Sequence, residues 1–369
     1  MVFRSVALAH TSRYLQRHTQ IPIPQIHAYG RDAKLTTDGK GTQMFIISDV
    51  VPGQMLDKKL LLEGDKEHTR NFYSQLIDIF TELRGLEFPS IGSLVPNPDG
   101  SLEPVVGPVM SMSAAELREP PHALFTSASD YLRYQFKLIS EMFVEPVSKH
   151  TIEDIKREIF AVHGMEQVFD LVIDARSEKG PFVLSHLDLR TPNIIVNEQL
   201  QIQGVIDWEF AITVPSKLFT PPSWITGHDS PLETDKRMHV EFREVLDEKS
   251  RDNLKCDQLR REWYDHADDP KAKIDPTDLA FCVAHVLRRT GDLVDMYCDF
   301  FAGKLSDEPL EGAISKFFDD HPDLAEEAQR QVVQCKRYAE YLEENGLYET
   351  ELSRLLAQSK AFKEKMGWA

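Results

Sequence analysis

Residues 182–211 read FVLSHLDLRTPNIIVNEQLQIQGVIDWEFA, and this stretch decides the fold. It contains a His-x-Asp-x-x-x-x-Asn pattern at His186, Asp188 and Asn193, followed by an apolar run ending in Asp207. Phosphoryl transfer needs a carboxylate to orient the attacking hydroxyl, and an amide and a second carboxylate to hold the metal that bridges the nucleotide phosphates. Asp188, Asn193 and Asp207 supply those groups in that order. The stretch reads as a kinase-type catalytic loop.

The local pattern puts the three residues where such chemistry would need them. Phe182–Leu184, Ile194–Val196 and Ile202–Ile206 are short apolar runs, and the polar Asn197–Gln201 between the last two reads as a hairpin connection. Asp188 and Asn193 then follow one strand, Asp207 ends another, and the hairpin folds them toward one point. The competing reading makes Asp188 and Asn193 turn residues and Asp207 a helix cap.

Working outward, the same residues resemble the aminoglycoside phosphotransferase family, a kinase-like group, and most of all its fungal branch. Further matches are TQIPIPQIHAYG from Thr19 to Gly30, FIISDVVPG from Phe45 to Gly53, FPSIGSL from Phe88 to Leu94 and VIDWEFA from Val205 to Ala211. The pattern at His186 alone is a weak signal. Joined to the IDWE segment and the upstream blocks in order, it is a strong one. The resemblance runs from about Ser12 to Pro222, and weakly through the helical remainder.

The resemblance implies a protein-kinase-like α+β fold with two lobes: a reduced amino-terminal lobe and hinge over 1–54, and a large, mostly helical lobe over 55–369. It implies an ATP- and magnesium-dependent phosphotransferase acting on a hydroxyl of a small molecule. Asp188 would orient the acceptor, His186 would brace the loop, Asn193 and Asp207 would bind the metal, and Asp49, Val50 and Val51 would be the hinge that reads adenine. One departure stands against this. The family's phosphate-covering hairpin, strand lysine and helix glutamate have no match: the helix expected over Ser5–Arg17 carries Leu8 at the glutamate position. Lys34 and Lys40 are the first lysines, and Gly39-Lys40-Gly41 reads as a hairpin turn. A shortened gene product or a catalytically inactive binding module is therefore the second expectation.

Composition bounds the partners. Sixty acidic against 42 basic residues give a net charge of -18, which argues against nucleic-acid binding and favours a cationic acceptor. Cys256, Cys282, Cys298 and Cys335 form no Cys-x-x-Cys pair and read as free thiols of a reducing compartment. No apolar run approaches a membrane span. The stretch from Met1 to Arg31 lacks acidic residues until Asp32, like a mitochondrial transit peptide. The helix reading, with Val6, Ala9 and Tyr14 toward a sheet, is preferred, and with it a cytoplasmic location.

Elsewhere the periodicity predicts helices over Thr69–Leu86, from Ser127 through Phe143, over Ile155–Ile173 and from Asp275-Pro276 onward. Pro89–Pro121 reads as loop and hairpin. The Leu279, Cys282, Val283, Val286, Leu287 stripe reads as core, and the charged Asp235–Arg251 and Glu326–Glu344 segments as solvated helix faces.

Overall fold

The structure is a computed structural model that describes residues 2–33, 43–148, 150–175, 177–228, 236–265 and 273–347. Its strands are β1 (Ile26–Ala33), β2 (Gln43–Ser48), β3 (Gln54–Met55), β4 (Glu87–Phe88), β5 (Leu94–Val95), β6 (Val105–Val106), β7 (Phe182–Ser185), β8 (Ile194–Val196), β9 (Ile202–Val205) and β10 (Ile212–Pro215). They form four small antiparallel sheets, β1-β2, β3-β8-β9, β4-β7-β10 and β5-β6, among a larger number of helices. The expected α+β class holds. The chain divides into two compact units, one of residues 1–139 and 164–307, the other of 140–163 and 308–369.

In the first unit, the amino-terminal segment is the helix Val2–His18. Its buried set is broader than the expected stripe: Ala7, Ala9, Thr11, Ser12 and Leu15 are enclosed, and Val6 and Tyr14 are only half-buried. The cause is packing on several sides, against β1, β2, β5 and the turn Trp208–Phe210. Tyr14 meets the Phe88 ring at 5.7 Å. The Gly39-Lys40-Gly41 turn and Lys34 lie outside the described residues.

Strands β7, β8 and β9 match the three apolar runs, and Asn197 closes the β8–β9 turn by accepting from Gln199 N and Gln201 N through Oδ1. Two glycines let the chain fold tightly onto this hairpin. Gly53 adopts φ +125°, and a Cβ there would lie 2.5 Å from the Val196 carbonyl oxygen. A Cβ on Gly204 would lie 2.7 Å from Val51 Cγ1, so the segment after β2 lies directly against β9. The β9 edge also donates Val205 N–H to Pro22 O.

The helix Lys66–Arg84 starts on Asp65, whose carboxylate accepts from His68 N, and stops at Gly85. Phe72, Leu76, Ile79 and Leu83 are buried as the spacing predicts. The helices Lys236–Ser250 and Leu254–Tyr264 pack on it, and buried Arg84 forks onto Glu262 at 2.7 and 2.8 Å. Asp275 caps Pro276–Arg288 through Thr277 N, and that helix buries Cys282, Val283, Val286 and Leu287 with Leu279 half-buried. The Pro89–Pro121 stretch holds the β5–β6 hairpin and one unforeseen turn of helix, Met112–Glu116, capped by Ser111.

The second unit packs Ile155, Ala328 and Cys335 with Ile152, Ile159 and Val332. Thr151 and Asp154 cap its helix start reciprocally. Among the described residues no helix is long and apolar enough to cross a membrane. The four cysteines form no disulfide with one another; Cys256, Cys282 and Cys335 are buried and Cys298 is half-buried.

Candidate active site

The loop from Asp188 to Asn193 is held by its own backbone. Arg190 N donates to Asp188 O at 2.8 Å and Asn193 N to Arg190 O at 3.0 Å, closing a tight turn into the 3-10 segment Thr191–Asn193. The buried Trp224 indole N–H donates to Leu189 O at 2.9 Å. With both ends of the turn and its middle carbonyl engaged, the loop has little freedom.

Asn193 links the predicted groups. Its Nδ2 donates to Asp188 O at 2.8 Å and to Asp188 Oδ2 at 3.1 Å, and its own carbonyl accepts from Ile206 N at 3.0 Å. Since Ile206 precedes Asp207, the β8–β9 pairing brings the IDWE segment beside the loop. Asp207 has φ 67° and ψ 50°, a left-handed conformation, and opens the turn Trp208–Phe210 without capping it through its side chain. Asp207 thus holds the N-cap position of this turn, but its side chain makes no capping hydrogen bond there.

His186 is 4 % exposed. Its Nε2 lies 2.9 Å from Ile206 O, so that nitrogen carries the proton, and its ring stands 4.5 Å from that of Trp208. Nδ1 is buried with no partner among the described residues. Burial pushes the imidazole pKa down, against the pull of Asp188 and Asp207. A histidine depressed in the folded state favours folding while neutral, and that contribution fades as pH falls from its unfolded value of about 6.5. The thermal midpoint should therefore drop on acidification between about pH 7 and pH 5. His186→Gln, which keeps a donor toward Ile206 O, should remove part of that slope in melts across the range. His10, lowered by burial and by Arg13 and Arg17, keeps its share in both proteins.

Asp49, Val50 and Val51 lie just past β2. Asp49 N donates to Gln25 O at 3.0 Å, and its carboxylate meets His27 Nε2 at 2.6 Å, a contact that holds its pKa low. Val50 is 92 % exposed. Asp49 and Val51 border a cleft of about 400 Å³ whose walls include Leu8, Ile46, Ile195 and Ile206, with Asp207 also on its lining. That volume suits a small-molecule ligand. Leu8 presents an apolar side chain to it where the resemblance puts a glutamate.

The donor set fits magnesium. Asn193 spends its amide nitrogen on Asp188, which leaves Oδ1 as an acceptor, and Asp207 adds a carboxylate. Magnesium takes hard oxygen ligands, keeps several waters, and is often bound by one or two side chains plus substrate phosphates. Among the described residues no cluster of three or more His, Cys, Asp or Glu side chains could hold a metal alone.

Sequence reasoning passed over two residues at this loop. Arg190 forks onto Asp188, Nε to Oδ1 at 2.7 Å and Nη2 to Oδ2 at 2.9 Å. It was readable as a cation two positions from the candidate base. Trp224, which pins Leu189, had no local signal because it arrives from 35 positions away. A cavity of about 40 Å³ against Asp188 and Arg190 is walled by Phe80, Leu187, Phe219 and Trp224.

The mixed α/β chain thus brings a loop carboxylate and an amide together, with a strand-end carboxylate next to them on the lining of the 400 Å³ cleft. The model of the phosphotransferase enzyme family (APH) matches residues 7–213, and the chain belongs to that family. The "Clavilactone A biosynthesis cluster protein Y" of Ampulloclitocybe clavipes is 29% identical over 229 residues, covering 59% of this chain and 52% of that protein. The chain thus spans about half the length of this curated relative. Among solved structures, the ethanolamine kinase of Plasmodium vivax aligns with 80% of this chain and 68% of its own at 13% identity and a TM-score of 0.43. The GDP complex of aminoglycoside 2'-phosphotransferase-IIIa aligns with 86% of this chain and 85% of its own, at 16% identity and a TM-score of 0.42.

Proposed function

We propose that this protein transfers the terminal phosphoryl group of ATP to a hydroxyl of a small molecule, with magnesium. The observation that carries the reading is the Asn193 amide: it hydrogen-bonds Asp188 on one side while its backbone carbonyl holds Ile206 N, next to Asp207, on the other. An orienting carboxylate and a metal-binding pair are thereby supported by one residue.

In this reaction the acceptor oxygen bonds to the γ-phosphorus as the bond from phosphorus to the β-bridging oxygen breaks, and ADP leaves. Asp188 orients the hydroxyl and takes its proton. Bound magnesium would offset charge on the phosphate oxygens, held by Asn193 Oδ1 and the Asp207 carboxylate. His186 braces the loop through Ile206 O. The cleft beside Asp49, Val50 and Val51 takes the adenine, with residues 1–54 as the nucleotide-covering part and 55–369 as the part bearing the catalytic hairpins. A small-molecule acceptor accords with the biosynthesis-cluster relative, and a cationic one with the net charge of -18. Free cysteines accord with a reducing, cytoplasmic location.

A second reading, an inactive binding module, draws on the absence of any lysine or arginine among the described residues lining the 400 Å³ cleft. Calorimetric titration with ATP, with and without magnesium, separates the two. Magnesium-dependent binding and slow phosphate release are expected; binding without turnover under any acceptor would favour the module, and no binding would overturn the phosphotransferase.

A further inference from the structure

Arg288 is a cation without a counter-charge. It ends the helix Pro276–Arg288, where the helix dipole offers roughly half an elementary charge. Its Nη1 donates to Pro221 O at 3.1 Å and its Nη2 to Thr220 O at 3.0 Å, and both acceptors are neutral carbonyls. Its Nε is enclosed and has no partner among the described residues. Burial pushes its pKa down to about 10, and the group that pulls it back is the Tyr131 phenol, not a carboxylate.

Arg288 lines the 40 Å³ cavity beside Asp188. So does Thr220, whose buried hydroxyl also lacks a partner among the described residues. Two donors, one of them charged, therefore belong to one lining with nothing to serve. His186 Nδ1, a third unpartnered atom on that lining, is an acceptor, so an anion belongs on the Arg288 and Thr220 side. Arg190 and Arg289 line the cavity as well, each 55 % exposed, which puts one side of it at the surface. Both already have acids, Asp188 at 2.7 Å and Asp292 at 3.2 Å. The other walls are apolar rings, where little water remains to weaken an ionic hydrogen bond.

Size narrows the ligand. A volume of about 40 Å³ holds roughly three water-sized atoms, which matches one carboxylate group. Water alone would pair the two donors but leave the guanidinium charge uncompensated. A carboxylate does both, accepting from Arg288 Nε and from the Thr220 hydroxyl.

Building on the phosphotransferase reading above, we infer that the acceptor is a hydroxy acid: its carboxylate enters this cavity against Arg288 and Thr220, and its hydroxyl stands at Asp188. Asp188 and Arg288 line the same small cavity, so the two groups of the acceptor are only a few bonds apart. The hydroxyl oxygen bonds to the γ-phosphorus, its proton passes to Asp188, and ADP leaves with the electron pair of the broken bond. The carboxylate changes no bond; it fixes the acceptor so that the hydroxyl meets the base. The net charge of -18 acts on ligands at long range, but the acceptor's charged group is selected by the wall it touches.

The test starts with formate, which is the carboxylate alone. Thermal midpoints of the wild type, Arg288→Met and Thr220→Val are compared in formate and in chloride of equal ionic strength. Formate should raise the wild-type midpoint by about 2 °C and leave both variants unmoved. In chloride, Thr220→Val should melt at or above the wild type, because it removes an unpaired buried hydroxyl. It keeps the test decisive if Arg288→Met, which gives up two backbone bonds, folds poorly. Calorimetry in magnesium-ADP then compares glycolate, glycerol and ethanolamine: a hydroxy acid, a neutral polyol and a cationic alcohol. Glycolate should bind the wild type about tenfold or more tighter than either of the others, and Thr220→Val should lose much of that margin. No formate shift, or a shift that survives either substitution, overturns the anion site. Equal binding of the three, or a preference for glycerol or ethanolamine, overturns the hydroxy acid as acceptor. Titration of the wild type with magnesium-ATP stands apart from the formate test: its failure overturns the phosphotransferase reading and with it the acceptor role, while the formate shift still reports the anion site.

Discussion

Asp188→Ala should leave the chain folded and lower turnover by about 10³-fold, near 4 kcal/mol of transition-state stabilisation. The two effects separate because Asp188 is tied to the fold through groups that survive the substitution. Its backbone carbonyl still accepts from Arg190 N and from Asn193 Nδ2, at 2.8 Å in each case. The fork from Arg190 is lost, but that arginine is 55 % exposed and regains water, so the cost to stability stays near 1 kcal/mol. Asp188→Asn would be a poorer probe, because an amide could still pair with Asn193 and orient a hydroxyl. The measurement is phosphate release from ATP, with thermal melting as the control. Unchanged ATP consumption in a folded Asp188→Ala protein would remove Asp188 from the mechanism.

The legible part of this chain was the part written in contiguous residues. The runs Phe182–Leu184, Ile194–Val196 and Ile202–Ile206 became β7, β8 and β9 with ends close to those the alternation predicted, since hairpin partners lie a few positions apart and their turn chemistry sits between them. The helix Lys66–Arg84 was equally readable from its apolar spacing and its terminal Gly85. What escaped was long-range. Trp224 supports Leu189 across 35 positions, and the indole of Trp263 donates to Phe219 O across 44. Such bonds follow from how helices stack, and no local pattern announces them. The amino-terminal helix shows the same limit in another form. Its apolar positions suggested one buried stripe, but Thr11 and Ser12 are buried too, because β1, β5 and the Trp208–Phe210 turn cover it from different sides.

The proposed hinge illustrates a finer limit. The sequence placed Asp49, Val50 and Val51 at a strand end, and β2 does stop at Ser48. It could not say which of their polar groups are already spent. Asp49 gives its N–H to Gln25 and its carboxylate to His27, so the Asp49 carbonyl is what remains for a base to bond. Val51, held against β9 by the missing side chain of Gly204, is fixed in place by packing rather than by hydrogen bonds from its side chain. A backbone proposed to read a ligand must be rigid, and here Val51 is packed against a glycine more than 150 positions away.

Asp207→Asn should cut affinity for ATP in magnesium by about 100-fold, while leaving metal-free affinity unchanged or slightly improved. Asparagine is the right replacement because Asp207 sits at φ 67°, where Asn is tolerated nearly as well as Asp. Alanine there would add about 1 kcal/mol of backbone strain beside the Asn193–Ile206 contact and blur the result. The sign of the metal-free effect is the informative part. With no cation present, the Asp207 carboxylate faces the anionic phosphates and repels them, so removing its charge helps. With magnesium present, the same carboxylate would hold the ion that attracts them, so removing it should hurt. A residue that served only to shape the turn into Trp208 would lose affinity by the same factor in both conditions. Calorimetry with ATP in chelator and in magnesium, on wild type and Asp207→Asn, reads the difference directly, and equal losses in the two conditions would make Asp207 a structural residue and leave the proposed metal site without its charge.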